Sequence, residues 1–138
     1  MNAPLLFDTC AVIWISHDEN VSTELVNALR RARETDEPSY VSPITAWELG
    51  LLAARGRINL LMPPQQWFGR LLEAPGLRLA DMPPDLLIAS SFLPGASPRD
   101  PADRILAATA REYGYRLVTR DRPLLDYAAQ GHVQALAC

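Results

Sequence analysis

Residues 99–121 read RDPADRILAATAREYGYRLVTRD, and this stretch decides the fold. The pair Asp100-Pro101 predicts a helix start, because Asp caps helix N-termini and Pro suits the first helical turn. Apolar side chains then recur at helical spacing as far as Gly114, a residue type that commonly ends helices. Arg116–Thr119 follows as a short strand, and Asp121 comes just after it. A helix that leads into a strand is the repeating unit of an α/β domain.

The rest of the chain repeats this alternation of short apolar strands and longer amphipathic helices. Further strands are predicted at Leu5–Phe7, Ser39–Val41, Leu77–Leu79 and, at the edge of the sheet, Val133–Leu136. Helices are predicted at Cys10–Ile15, at Ser22–Arg33, from Pro43 to a stop at Arg55-Gly56, from Pro63-Pro64 through Leu72, from Pro83-Pro84 through Ser91, and at Pro123–Ala128. Thr9 is the candidate cap of the first helix. Three tryptophans are expected in the core: Trp14, Trp47 and Trp67. The pattern predicts an α/β domain with a mainly parallel sheet.

Length and composition limit the possible functions. The 138 residues are one domain's worth of chain. The contents of 49% hydrophobic and 21% charged residues are ordinary for a globular protein, which excludes disorder of the whole chain. A membrane span is not expected either, because every apolar run is too short. The net charge of -3 argues against a protein that coats nucleic acid, but it does not exclude an enzyme that holds metal between carboxylates and contacts RNA through a local arginine patch.

Cysteine content and the first residues indicate the compartment. Cys10 and Cys138 make no disulfide framework, so reduced thiols in a cytoplasmic protein are expected. Residues 1–8 hold no basic segment, and Asp8 interrupts the apolar run. A secretory signal peptide is therefore not expected.

Four acidic residues recur at one kind of place in this pattern. Asp8 and Asp121 follow strands, whereas Glu48 and Asp103 lie in the first two turns of helices. In a parallel sheet, strand C-termini and the N-termini of the following helices share one edge, so the four carboxylates are expected to converge. Such a cluster repels itself unless protons or cations compensate, and hard ions such as Mg²⁺ prefer oxygen ligands of this kind. Metal held between carboxylates can activate a water for phosphoryl displacement.

Each acid taken singly has a simpler interpretation. An acid after a strand is often a helix cap, which applies to Asp8 and, even more directly, to Asp100. Glu48 suits a solvated helix face, and the sequence Arg120-Asp121-Arg122 suits a surface salt-bridge cluster. The metal-site hypothesis therefore depends on the joint pattern.

That joint pattern resembles the PIN domain. Residues 5–14, LLFDTCAVIW, look like the opening strand of that family, and residues 42–49, SPITAWEL, are similar to the segment that carries an acid on its third helix. Residues 99–108 and 117–121 look like the last two motifs, and this pair is the most specific part. The resemblance runs in the right order from Leu5 to Leu136 and extends to the VapC-like toxins of bacterial toxin–antitoxin systems.

The resemblance implies a three-layer α/β/α sandwich that acts as a Mg²⁺- or Mn²⁺-dependent endoribonuclease. Carried over residue by residue, the catalytic and metal-binding acids are Asp8, Glu48, Asp103 and Asp121, with Thr119 as a supporting hydroxyl. The resemblance also implies an RNA substrate, a cognate antitoxin protein as partner, and a tendency to form homodimers.

Further charged residues flank the proposed acids. Asp100 matches a frequent acid of the subfamily, although it fits equally well as a plain helix cap. Four arginines are expected to form a positive rim that contacts RNA phosphates: Arg99, Arg104, Arg120 and Arg122.

Rival interpretations stay open on the sequence alone. A haloacid-dehalogenase-type phosphatase also begins with a strand that ends in Asp, but it needs a second Asp at the position of Cys10. The glycine patterns of a dinucleotide-binding domain or a P-loop are absent. A module that has kept the fold and lost the chemistry is a third alternative, and the presence of all four acids argues against it.

Overall fold

A computed structural model describes residues 3–17 and 20–138 of the chain. The described part contains a five-stranded sheet in the order β3-β2-β1-β4-β5, and every neighbouring pair is parallel. The strands are β1 (Leu5–Phe7), β2 (Ser39–Val41), β3 (Leu77–Leu79), β4 (Arg116–Thr119) and β5 (Gln134–Ala137). The prediction of a mainly parallel sheet is therefore confirmed. The last strand begins at Gln134 rather than at Val133, because Gln134 is the residue that pairs with Arg116 at the start of β4.

Seven helices surround this sheet in the described residues, and each predicted helix is found within a few residues of its expected bounds. They are α1 (Thr9–Ser16), α2 (Thr23–Glu34), α3 (Pro43–Ala54), α4 (Pro64–Leu71), α5 (Pro84–Ala89), α6 (Pro101–Tyr113) and α7 (Arg122–Ala129). No described helix has the length and apolar character needed to cross a lipid bilayer.

The side chains of each strand alternate between the two faces of the sheet and build a core on each side. Leu5 and Phe7 pack on one face with Leu25 of α2, whereas Leu6 packs on the other face with Leu106 of α6. Helices thus cover both faces, which is the predicted α/β/α sandwich.

The loop between β1 and α1 corrects one sequence prediction. Asp8, and not Thr9, caps α1, because the Asp8 backbone is still extended and its side chain accepts a hydrogen bond from the Ala11 N–H. Thr9 is the first residue of the helix. Farther along the chain, Gly114 ends α6 as predicted, and its left-handed φ of 70° is one that favours glycine.

The environment of the tryptophans corrects a second prediction. Trp14 and Trp67 pack against the core on the α2 side of the sheet, as expected. Trp47 does not, because 56% of its surface is exposed. It lies on α3 next to Glu48, on the side of the helix that faces away from the buried Leu49.

Candidate metal centre

Asp8 is the most buried of the four predicted acids. It directly follows β1 and is 6% exposed. Its Oδ1 accepts a hydrogen bond from the Ala11 N–H at 2.7 Å, and its Oδ2 accepts one from the Thr119 hydroxyl at 2.5 Å. Each carboxylate oxygen keeps a free lone pair after these bonds. Asp8 therefore serves as the cap of α1 and still has oxygen atoms to offer to a ligand.

Thr119 connects Asp8 to the fourth acid. Its side chain is fully buried at the end of β4, where its hydroxyl donates to Asp8 and accepts a hydrogen bond from the Asp121 N–H at 2.9 Å. The Asp121 carboxylate caps α7 by accepting from the Leu124 N–H at 3.2 Å. Adjacent parallel strands thus bring Asp8 and Asp121 to the same edge of the sheet, as the sequence predicts.

Glu48 reaches the same edge from α3, where it is half-buried. Its Oε1 accepts a hydrogen bond from the Thr9 hydroxyl at 2.5 Å, and the Thr9 and Thr45 hydroxyl oxygens lie 3.1 Å apart. The sequence interpretation did not identify these two threonines as part of the site. The available signals were the position of Thr9 directly after Asp8 and the spacing of Thr45 and Glu48 by three residues, which puts both on one face of a helix.

Asp103 and Asp100 lie at the start of α6. Asp100 is exposed and caps the helix, since its Oδ2 accepts a hydrogen bond from the Asp103 N–H at 3.0 Å. The prediction of a cap at this position is confirmed. Asp103 itself is half-buried in the first turn of the helix.

The electrostatics of Asp103 show that the acids converge. Burial raises the pKa of the Asp103 carboxyl to about 8, and the negative charges of Asp121, Asp100, Glu48 and Asp8 contribute to the rise, in that order. A carboxylate responds to another charge in this way only at close range. The four predicted acids and Asp100 therefore share one electrostatic site.

The pKa values of Asp8 and Glu48 are also raised. Burial raises the pKa of Asp8, although the hydrogen bonds from Thr119 and Ala11 oppose the rise. Burial also raises the pKa of Glu48, and here the hydrogen bond from Thr9 opposes it. Ionisation of these two acids is therefore unfavourable in the site, although hydrogen bonds stabilise each carboxylate.

Cys10 lies at the rim of this site. The residue is solvent-exposed, yet nearby protein atoms shield its thiol, and this desolvation together with the charges of Asp8 and Glu48 raises the thiol pKa to about 11. The thiol stays protonated at neutral pH and is a poor nucleophile. The position at which a haloacid-dehalogenase-type phosphatase needs a second Asp thus holds neither an acid nor a thiolate.

No protein cation neutralises the acids within residues 3–17 and 20–138. The ion pairs found there join Arg116 to Glu24 and Arg122 to Asp126. In their present rotamers, no three Asp, Glu, His or Cys side chains of the described residues are close enough to hold one metal ion. The donor chemistry nevertheless fits a hard divalent cation, because the site offers carboxylate oxygens and an excess of negative charge.

The four arginines of the predicted rim have two different environments. Arg104 donates from Nε to the Pro98 carbonyl at 2.6 Å. The Arg120 guanidinium lies 4.0 Å from the centre of the Trp14 ring, and it also donates to the backbone carbonyl of Cys138. Both side chains therefore make contacts within the protein that stabilise the fold. Arg120 is exposed as well, but Arg99 and Arg122 are exposed and have no described hydrogen bond to a backbone carbonyl, so they are the better candidates for contact with a phosphate.

Comparisons with known proteins agree with this fold. The family model of the PIN domain matches residues 5–130. Among curated proteins, Ribonuclease VapC22 of Mycobacterium tuberculosis (strain ATCC 25618 / H37Rv) is 36% identical over 127 residues, which cover 92% of this chain and 93% of that protein.

Solved structures share the architecture at lower sequence identity. VapBC2 from Rickettsia felis, bound to a DNA fragment from its promoter, contains a chain with a TM-score of 0.63 and 14% identity, and the match covers 96% of this chain and 97% of that one. FitAcB from Neisseria gonorrhoeae contains one with a TM-score of 0.56 and 22% identity, and the match covers 96% of both chains. Identities this low show a common fold only. The family-model match over residues 5–130 and the 36% identity to a ribonuclease over 92% of the chain show that the chain belongs to the PIN-domain family.

Proposed function

We propose that this protein is a metal-dependent endoribonuclease whose site is formed by Asp8, Glu48, Asp103 and Asp121. One observation carries the proposal: four carboxylates lie at one edge of the sheet, where neighbouring negative charges help to raise the pKa of Asp8, Glu48 and Asp103, and none of the four forms an ion pair with a protein cation in the described structure. Helix capping alone does not require acids to lie close together, where their negative charges repel one another. A site for Mg²⁺ or Mn²⁺ requires such a cluster of carboxylates, and the positive charge of the ion would balance their negative charges.

The residues of the site have distinct roles in this proposal. Asp8 is the fixed ligand, because both of its oxygens are held by hydrogen bonds. Glu48 and Asp103 are half-buried and start from two different helices, so they would complete the set of ligands from the α3 and α6 sides of the site. These carboxylates would hold a Mg²⁺ or Mn²⁺ ion, which would supply activation of the attacking water and neutralisation of charge on the scissile phosphate. Thr119 fixes the position of Asp8 relative to Asp121, because its hydroxyl hydrogen-bonds to both residues.

The proposed substrate is RNA, and the proposed regulator is an antitoxin protein. Two observations support this more specific role: the similarity to Ribonuclease VapC22 over most of both chains, and the shared fold with a chain of the VapBC2 structure. If the role is correct, a short reading frame for an antitoxin should lie beside the gene, and its product should bind this protein and block cleavage.

The direct test is a cleavage assay on end-labelled single-stranded RNA. With Mg²⁺ or Mn²⁺ the purified protein should produce internal fragments, excess EDTA should stop the reaction, and Asp8→Asn should be inactive in parallel. Cleavage that persists undiminished in excess EDTA would rule out the metal mechanism. A protein that binds RNA and leaves it intact with either metal would be the catalytically silent module. Hydrolysis of a small phosphomonoester in place of RNA would identify a phosphatase.

A further inference from the structure

Two threonine hydroxyls form a chain from the protein interior to Glu48. The Thr45 side chain is fully buried on α3, one turn before Glu48 on the same helix. Its hydroxyl oxygen lies 3.1 Å from that of Thr9, and the Thr9 hydroxyl lies 2.5 Å from Glu48 Oε1. Thr45 therefore reaches the carboxylate through Thr9.

The number of hydroxyl hydrogens fixes the direction of this chain. Thr9 has one hydroxyl hydrogen, and an ionised Glu48 can only accept. The Thr9 hydrogen is thus used toward Oε1, over the shorter of the two distances. The contact between the two hydroxyls must then use the hydrogen of Thr45. A hydroxyl that accepts one hydrogen bond is held in orientation and donates more strongly to its own acceptor.

We propose that Thr45 is a positioning residue for Glu48, and that it acts by fixing the direction in which Thr9 donates. The inference rests on the proposed metal site. No side-chain polar atom buried in the described part of the chain lacks a hydrogen-bond partner, and the described side-chain hydrogen bonds of Thr45 involve Thr9 alone. Without Thr45, the Thr9 hydroxyl loses the partner on its other side, so its hydrogen is held less firmly toward Glu48, whose only described side-chain hydrogen bond it supplies.

The main test is Thr45→Val, which keeps the side-chain shape and removes the hydroxyl. The Mn²⁺ concentration that gives half of the metal-induced rise in Tm should increase about tenfold, which is the usual scale for groups that orient metal ligands. kcat for RNA cleavage should fall by a similar factor, with KM for RNA unchanged. Thr45→Ser keeps the hydroxyl and should recover most of both losses. An unchanged Mn²⁺ response in Thr45→Val would overturn the inference.

A matched control separates this effect from the general cost of removing a buried hydroxyl. Thr109 on α6 is 1% exposed, and its hydroxyl donates to the Ile105 carbonyl of its own helix. Thr109→Val is thus the same substitution in a fully buried helix position that has no hydrogen bond to an acid. It should leave the Mn²⁺ response unchanged. If it weakens the response as much as Thr45→Val does, the effect is structural and the positioning role is wrong.

A double-mutant cycle tests whether Thr45 acts through Thr9. In a Thr9→Val background, Thr45→Val should cause no further loss of Mn²⁺ response, because the link is already broken. Additive losses would contradict the relay. The cycle uses Tm in the presence of Mn²⁺, so it gives an answer even if the protein cleaves no RNA. If the parent cleaves RNA and Thr45→Val behaves like the parent in both assays, the relay fails while the proposed function stands.

Discussion

The Thr119 hydroxyl donates a hydrogen bond to Asp8 Oδ2 at 2.5 Å and thereby joins the ends of β4 and β1. The same hydroxyl accepts from the Asp121 N–H, so the second acid is fixed relative to the first. The opposite oxygen of Asp8 caps α1 through the Ala11 N–H. Asp8 therefore combines two roles that the sequence presents as alternatives: it is a helix cap, and it is a buried carboxylate in a site of like charge.

These two roles of Asp8 separate when Asp8→Asn is compared with Asp8→Ala. Both variants should lose at least about a hundredfold in RNA cleavage, because either change removes a carboxylate from the site. Asparagine keeps an oxygen for the Ala11 N–H, whereas alanine leaves the start of α1 uncapped, at a cost of about 1 kcal/mol in unfolding free energy. Urea denaturation in EDTA should therefore rank Asp8→Asn above Asp8→Ala, while a cleavage assay finds both inactive. An Asp8→Asn variant that retains full activity would show that the site lies elsewhere.

The stability of the metal-free protein should depend on pH in the direction set by Asp103. Its pKa of about 8 in the folded protein lies above the ordinary value of 3.8, so the folded state binds more protons than the unfolded chain between these limits. The favourable contribution is complete at low pH and is lost as the pH rises toward 8. From pH 5 to pH 8, we expect the unfolding free energy in EDTA to fall by on the order of 1–2 kcal/mol, after allowance for solvent screening.

Two variants identify the group responsible for this pH dependence. Asp103→Asn should flatten the decline, because the neutral side chain no longer has to ionise in the cluster. Asp126→Asn changes an exposed acid on the outer face of α7 and should leave the decline intact. Urea titrations at several pH values give the comparison. A parent protein whose stability is flat or rises from pH 5 to pH 8 would contradict the proposed convergence of the acids.

Much of the fold follows from the sequence because several helix starts carry chemical markers. Ser42-Pro43 and Asp100-Pro101 each place a capping side chain directly before a proline, and both pairs open helices in the structure. The parallel sheet follows from the alternation of these helices with short apolar strands. The beginning of β5 does not, since pairing of Gln134 with a distant strand decides it.

The candidate site was less predictable than the fold. Asp8 and Thr9 are both good capping residues, so composition cannot say which one caps α1; the extended backbone at the end of β1 gives the role to Asp8. The hydroxyl chain from Thr45 also depends on the packing of α1 against α3, which no local pattern encodes.

Trp47 illustrates the limit of hydrophobic patterns, and it gives a stability prediction. Residues 43–54 are apolar on every side of α3, so the pattern does not show which face is buried. Since Trp47 is 56% exposed and Leu49 is 1% exposed, Trp47→Ala should cost less than about 1 kcal/mol of unfolding free energy, whereas Leu49→Ala should cost about 2–5 kcal/mol. Urea denaturation of the two variants measures the difference. Equal losses would mean that Trp47 is packed in solution.

The arginines near the acids should divide into two groups by what their substitution changes. Arg99→Ala and Arg122→Ala remove exposed charges, so each should weaken RNA binding and lower the dependence of affinity on salt, with little change in stability. Arg120→Ala should instead lower the unfolding free energy by about 0.5–1 kcal/mol, because its guanidinium stacks on Trp14. RNA binding is measured in the inactive Asp8→Asn background, at several salt concentrations.

The matched control for these RNA-binding measurements is Arg33→Ala. Arg33 is also exposed, but it lines a surface groove together with Ser39 and Leu77, the first residues of β2 and β3, and so lies toward the end of the sheet opposite the acids. An RNA backbone that binds next to the acids does not contact Arg33, so removal of this charge should not weaken specific binding. Nonspecific attraction depends on the total charge of the protein, so removal of Arg33 should weaken it. If Arg33→Ala weakens binding and flattens the salt dependence as much as Arg99→Ala does, the arginines act through net charge, and the predicted positive rim around the acids is wrong.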